Sequence, residues 1–160
     1  MRTHTQSQLL HALFEEVLDS TPDFSQFEHR VLMQKIVFLM HEKGISCGDY
    51  TFVWDQRGPF SALLSDDMKK ECKVSTREVV FSQQAASTIG AIRDETKKHG
   101  NVYNRDMWLE ALASVQYLKR YMFPTYSDQA IAKKLTEYKP NFSSNSDNIR
   151  ALRASRRLTA

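Results

Sequence analysis

The chain has 160 residues, 41% of them apolar and 26% charged, with 22 Lys and Arg against 19 Asp and Glu for a net charge of +3. That length fits one domain, 1–160, able to bury roughly 68–70% of its unfolded surface, and so mild a charge does not demand a nucleic-acid partner. Cys47 and Cys72 form no CxxC pair, which argues against a disulfide scaffold or a structural zinc site. No run approaches 18 apolar residues, so no membrane span is expected. The first twenty residues carry His11, Glu15 and Glu16 among their apolar positions and lack the apolar run of a signal peptide. The expectation is a cytoplasmic protein with free thiols.

Leu9, Leu10, Leu13, Phe14, Val17 and Leu18 recur at helical spacing and predict a helix over residues 6–19, ended by Thr21-Pro22-Asp23. A second helix is expected from Phe24 to Lys43, closed by Gly44; its Ile36–Met40 stretch is apolar nearly all round, as suits the centre of a core. Tyr50-Thr51-Phe52-Val53-Trp54 reads as a strand, Gln56-Arg57-Gly58-Pro59 as a turn, and Phe60 to Lys73 as the next helix. Thr76 to Phe81 alternates weakly and could pair with the first strand. Further helices are expected over 83–99, 104–121 (capped by Asn104), 127–138 (capped by Ser127) and 148–158, the last a short basic helix preceded by a polar cap region at 143–147. The fold class is mainly α, a single helical domain with a small β-hairpin or two-stranded sheet.

The sharpest local pattern is the corner Trp54–Arg57–Gly58–Pro59–Phe60–Ser61. It reads either as a strand-to-helix corner held by aromatics, or as a recognition corner whose Arg57 fork meets a carboxylate or phosphate. No two histidines have the i, i+4 spacing of a helical metal pair, so no metal or cofactor is expected. Asp66 and Asp67 point about 100° apart on a helix and form no acid–base pair; Asp66 with Lys70 reads as a surface ion pair. Neither cysteine shows the neighbours of a nucleophile, and Ser61 and Ser65 lack the glycine-flanked elbow of a hydrolase. Arg150, Arg153, Arg156 and Arg157 near the C-terminus read as a solvated helix end or as a phosphate-contacting face.

Set in order, Arg30-Val31-Leu32-Met33-Gln34-Lys35-Ile36-Val37-Phe38-Leu39, then Phe52-Val53-Trp54, then Arg57-Gly58-Pro59-Phe60-Ser61 with Leu64 and Asp67, resemble the YwgA-like proteins. That group is related to the Panacea domain of bacterial antitoxins and antitoxin-like proteolytic adaptors. The blocks at 108–118 and 135–142 are similar too, so the resemblance covers about 28–155. Arg57 stands where the family commonly has an aromatic residue, and Phe60 where it has tyrosine. The resemblance implies a protein-interaction module rather than an enzyme, antitoxin-like or adaptor-like, binding a toxin or effector protein in a bacterial defence or toxin–antitoxin setting. The expected partner surface carries Tyr50, Trp54, Arg57, Pro59, Phe60 and Asp67. The alternatives are a nucleic-acid-binding regulator using Arg150, Arg153, Arg156 and Arg157, and an enzyme with an unrecognised site. Self-association through the aromatic corner stays open.

Overall fold

Nine consecutive residues, Leu32 to Met40, are buried in helix α2 (Phe27–Glu42), which makes it the axis of the core. The computed structural model describes residues 5–70 and 76–160, with the backbone alone at 77; His4, Cys72 and Lys73 lie outside the described residues. The order is α1 (Gln6–Leu18), α2, strands β1 (Val53–Asp55) and β2 (Gly58–Phe60), α3 (Ala62–Met68), a 3₁₀ turn (Thr76–Glu78), α4 (Gln83–Lys98), α5 (Arg105–Tyr117), a π-helical turn (Leu118–Met122), α6 (Asp128–Tyr138) and α7 (Asn145–Thr159). The fold is mainly helical with a two-stranded antiparallel sheet. α1 packs on α4, α2 on α5, and α7 on both α5 and α6. One hydrophobic cluster runs through these contacts, with Phe14, Met33, Phe38, Trp108, Leu112 and Leu152 among its members.

Local chemistry explains the helix ends. α1 begins in a capping box: the Thr5 hydroxyl accepts from Gln8 N at 3.1 Å, and the Gln8 side chain accepts from Thr5 N at 2.7 Å. It stops at Asp19, whose φ of +60° turns the chain before Pro22 is reached. α2 starts at Phe27, not Phe24, because the Asp23 carboxylate takes the Ser25 N–H at 3.0 Å and holds a turn there. Gly44, at φ +89°, closes it.

Four further expectations are corrected. The strand lies at 53–55 rather than 50–54, and its partner is Gly58–Phe60, with Val53 opposite Phe60, Trp54 opposite Pro59 and Asp55 opposite Gly58. Gln56 and Arg57 alone make the reversal, while Thr76–Glu78 is a 3₁₀ turn. α3 starts at Ala62, because the Ser61 hydroxyl caps it by accepting from Leu64 N at 3.3 Å, and ends at Met68. The helix expected over 104–121 gives way after Tyr117 to the π turn. α7 begins at Asn145, capped by Ser144, and is no solvated appendage: Ala151, Leu152, Ala154, Ser155 and Leu158 are buried.

Asp147 ties α7 to the rest. Its buried carboxylate accepts the backbone N–H groups of Asn101, Val102 and Tyr103 at 3.1, 2.8 and 3.1 Å, and pairs with Arg150 at 3.3 Å. Burial opposes the charge, but these donors outweigh it and hold the carboxyl below its ordinary value.

Candidate functional site

The hairpin sits in a polar lock built by α2. Gln34 Nε2 donates to Ser61 O at 2.9 Å, and Ser61 N donates to Gln34 Oε1 at 2.9 Å. Lys35 Nζ donates to Pro59 O at 2.9 Å. All of these groups are buried. Gly58 has φ +92°, and a Cβ there would come within 2.5 Å of Ser114 Oγ on α5. The Gly-Pro-Phe-Ser segment is therefore fixed by backbone conformation, by contact with α5 and by two side chains of α2.

The six residues expected to form a partner surface do not share one. Tyr50 is buried; its hydroxyl donates to Asp67 Oδ2 at 2.7 Å and accepts from Gln6 Nε2 at 2.7 Å. Asp67 also pairs with Lys70 at 3.2 Å, the partner the sequence reading gave to Asp66. These two residues latch α1, the 45–52 loop and α3 together. Pro59 is buried in the lock, and Phe60 is half-buried. Trp54 and Arg57 diverge. Trp54 faces Tyr117 and Tyr138, with ring centroids 5.8 and 5.9 Å away. Arg57 is exposed, and its guanidinium lies 5.0 Å over the Phe27 ring.

Beneath the hairpin is a buried charge cluster that sequence reasoning missed. Lys35 of α2, Glu110 and Ser114 of α5, and Lys139 after α6 meet there, and Glu110 and Lys139 form an ion pair. Burial pushes the Lys35 ammonium down to about 7, against the pull of Glu110. Burial likewise lowers Lys139, with Glu110 opposing. The Ser114 hydroxyl has no hydrogen-bond partner among the described residues. The available signal was a Gln-Lys pair inside a helix apolar on every side, since such groups are buried only when something remote satisfies them.

A continuous aromatic face runs from the hairpin to α6. Trp54 touches Tyr117 and Tyr138; Tyr117 meets Tyr121 at 5.0 Å, and Phe123 meets Tyr126 at 4.7 Å and Tyr138 at 6.3 Å. Tyr121, Tyr126 and Tyr138 are 51%, 38% and 44% exposed, so the face is open to solvent. Glu42 anchors one end, accepting from Tyr121 Oη at 2.5 Å, Gln116 Nε2 at 2.8 Å and Arg120 Nη1 at 3.1 Å. Burial and this carboxylate raise the Tyr121 phenol to about 12. The π turn places Tyr121 beside Tyr117, a local geometry enriched at functional sites.

The C-terminal arginines are mostly engaged. Arg150 pairs with Asp147 and lies 5.5 Å over Trp108, Arg156 pairs with Asp128 at 2.8 Å, and Arg157 lies 3.9 Å from Glu95. Arg153 is exposed, with no ion pair among the described residues. Cys47 is free and buried, and desolvation pushes its thiol up to about 12, away from nucleophilic use. Among the described residues no group of three His, Cys, Asp or Glu could hold a metal ion, and no helix is long and apolar enough to cross a membrane. No family model, curated protein or solved structure matches the chain.

Proposed function

We propose that the chain is a cytoplasmic protein-interaction module of the antitoxin or adaptor type, similar to the YwgA-like and Panacea proteins, which binds a toxin or effector protein. The observation that carries this reading is the aromatic face of Trp54, Tyr117, Tyr121, Phe123, Tyr126 and Tyr138. Tyrosine, tryptophan and arginine dominate interface hot spots because they bury a large area at low entropic cost. Half-exposed rings in mutual contact are already ordered, which lowers the cost of docking. The polar lock supports the resemblance: it gives a physical reason for the Gln-Lys helix and the Gly-Pro-Phe-Ser segment to occur in one chain.

The test is affinity capture of the tagged chain from its native host, repeated with a Tyr126→Ala/Tyr138→Ala variant. Both side chains are partly exposed, so thermal stability should change by no more than a few degrees. Recovery of one protein near stoichiometry, falling at least tenfold with the variant, is the expected result. Equal recovery by both forms refutes the aromatic face. An eluate rich in nucleic acid, or a second copy of the chain alone, refutes the toxin-or-effector reading.

A further inference from the structure

We propose that the cleft between Phe27, Arg30 and Arg57 is a carboxylate-binding pocket, taking an aspartate or glutamate side chain of the protein partner. The cavity has about 60 Å³, and its lining includes Phe27, Arg30, Gln34, Lys35, Asp55 and Arg57. That is room for one small polar head group in place of a few waters. The inference rests on the interaction reading above but uses a different surface, on the opposite side of the hairpin from Trp54.

Three observations converge. First, Phe27 is 47% exposed in the first turn of α2, and two guanidinium groups stack on its ring, Arg57 at 5.0 Å and Arg30 at 5.7 Å. Stacking orients a guanidinium and leaves its N–H edge free for a planar acceptor. Second, that edge is unspent. Arg57 makes no hydrogen bond or ion pair among the described residues, and Arg30 gives one N–H to Phe24 O at 2.8 Å. Third, the charges are out of balance. Around Lys35 stand Lys139 and Arg57 against Glu110 and Asp55, Glu110 is bound to Lys139, and Arg30 adds a further cation to the lining. Lys35 donates one hydrogen bond, to Pro59 O, of the three its ammonium can make. An incoming carboxylate would complete this set.

The observations favour a protein carboxylate over a nucleic-acid phosphate. A single small cavity accepts one planar group, which an arginine fork matches bidentately. A phosphate backbone needs a run of cations, whereas three of the four C-terminal arginines already have carboxylate partners.

The experiment titrates the ¹⁵N-labelled full chain with N-acetyl-glutamate amide, with N-acetyl-glutamine amide as its neutral isostere and with inorganic phosphate. Saturable amide shifts confined to residues 27–35 and 55–60, at least tenfold weaker with the glutamine probe and lost in Arg57→Gln, are expected. Arg57 is exposed, so that variant should fold as wild type. Equal response to both amides, or an unchanged response in Arg57→Gln, overturns the pocket. Binding of phosphate without the glutamate probe overturns the carboxylate assignment. The two readings fail separately. A captured partner that binds Arg57→Gln as tightly as wild type leaves the aromatic face standing and removes the pocket. A pocket that binds the probe while no protein is captured removes the interaction reading.

Discussion

Gly58→Ala should be among the most damaging single-methyl additions to this protein, for two separable reasons. At φ +92° an L side chain strains the backbone, a cost on the order of 1–3 kcal/mol. The new Cβ would also meet Ser114 Oγ at 2.5 Å, closer than any real Cβ contact, while Lys35 Nζ at 3.5 Å and Ser114 Cβ at 3.7 Å are ordinary neighbours. Overpacking of that kind costs about 1–3 kcal/mol. Together these predict a loss of about 2–6 kcal/mol, which urea unfolding would register as a midpoint lowered by roughly 1–3 M at a slope of about 2 kcal/mol/M. The steric part is reversible by design. Ser114→Ala removes the approached atom, and because that hydroxyl has no partner among the described residues, the single substitution should be neutral or slightly stabilising. The double variant Gly58→Ala/Ser114→Ala should recover about 1–3 kcal/mol and keep the backbone strain. A Gly58→Ala loss below about 0.5 kcal/mol, or additive behaviour in the double variant, would refute the seating of the hairpin on α5.

Stability should also depend on pH through Lys35. Its folded value, about 7, lies below the ordinary 10.5, so between these limits the unfolded chain holds more protons and stability rises with pH. The slope for this group approaches about 1.4 kcal/mol per pH unit between pH 7.5 and 9.5. Lys139 shifts the same way, while the raised phenols of Tyr103 and Tyr121 reverse the trend above about pH 10. Melting temperatures from pH 7 to 9.5 should climb in wild type and climb less in Lys35→Met; parallel curves would disprove the buried ammonium. Asp147→Asn should cost about 2–3 kcal/mol, since an amide cannot match a carboxylate facing three N–H donors and Arg150. Asp147 is depressed when folded below its ordinary 3.8, so its contribution is present above that ordinary value and is lost as the pH falls through the lowered folded one. Acid unfolding of wild type and Asp147→Asn should converge there, and a constant gap down to pH 2 would contradict the assignment.

The helices were largely legible because each is written locally. The nearly all-round apolar stretch of α2 marks a central helix, and Asn104 and Ser127 stand where caps belong. What was hidden depends on partners far along the chain. Gly58-Pro59 reads as the end of a turn and Phe60 as the start of a helix, because proline lacks a ladder donor, yet a two-stranded sheet consists of edges, where proline is tolerated. The Gln34 amide and the Lys35 ammonium, 27 and 24 residues from their partners, show what anchors it. The start of α7 was misplaced because a polar run ending in Asp147 looks solvated. Its carboxylate instead serves backbone donors 44 to 46 residues earlier. The candidate surfaces were half-legible: Trp54 and Arg57 stood out as residue types, but their divergence follows from the register of a hairpin expected elsewhere.

That divergence gives the polar lock its consequence. An apolar anchor under the hairpin would tolerate several orientations, whereas Gln34 to Ser61 and Lys35 to Pro59 require one, since any other would leave buried donors and acceptors unmet. With the hairpin so held, Trp54 goes to the α5–α6 side and completes the aromatic face, and Arg57 goes to the α2 side and completes the stacked pair on Phe27. Two surfaces therefore depend on one rigid reversal of two residues. A change in the lock should weaken both, a change at Tyr138 only the first, and a change at Arg57 only the second. That pattern separates a shared scaffold from two unrelated patches.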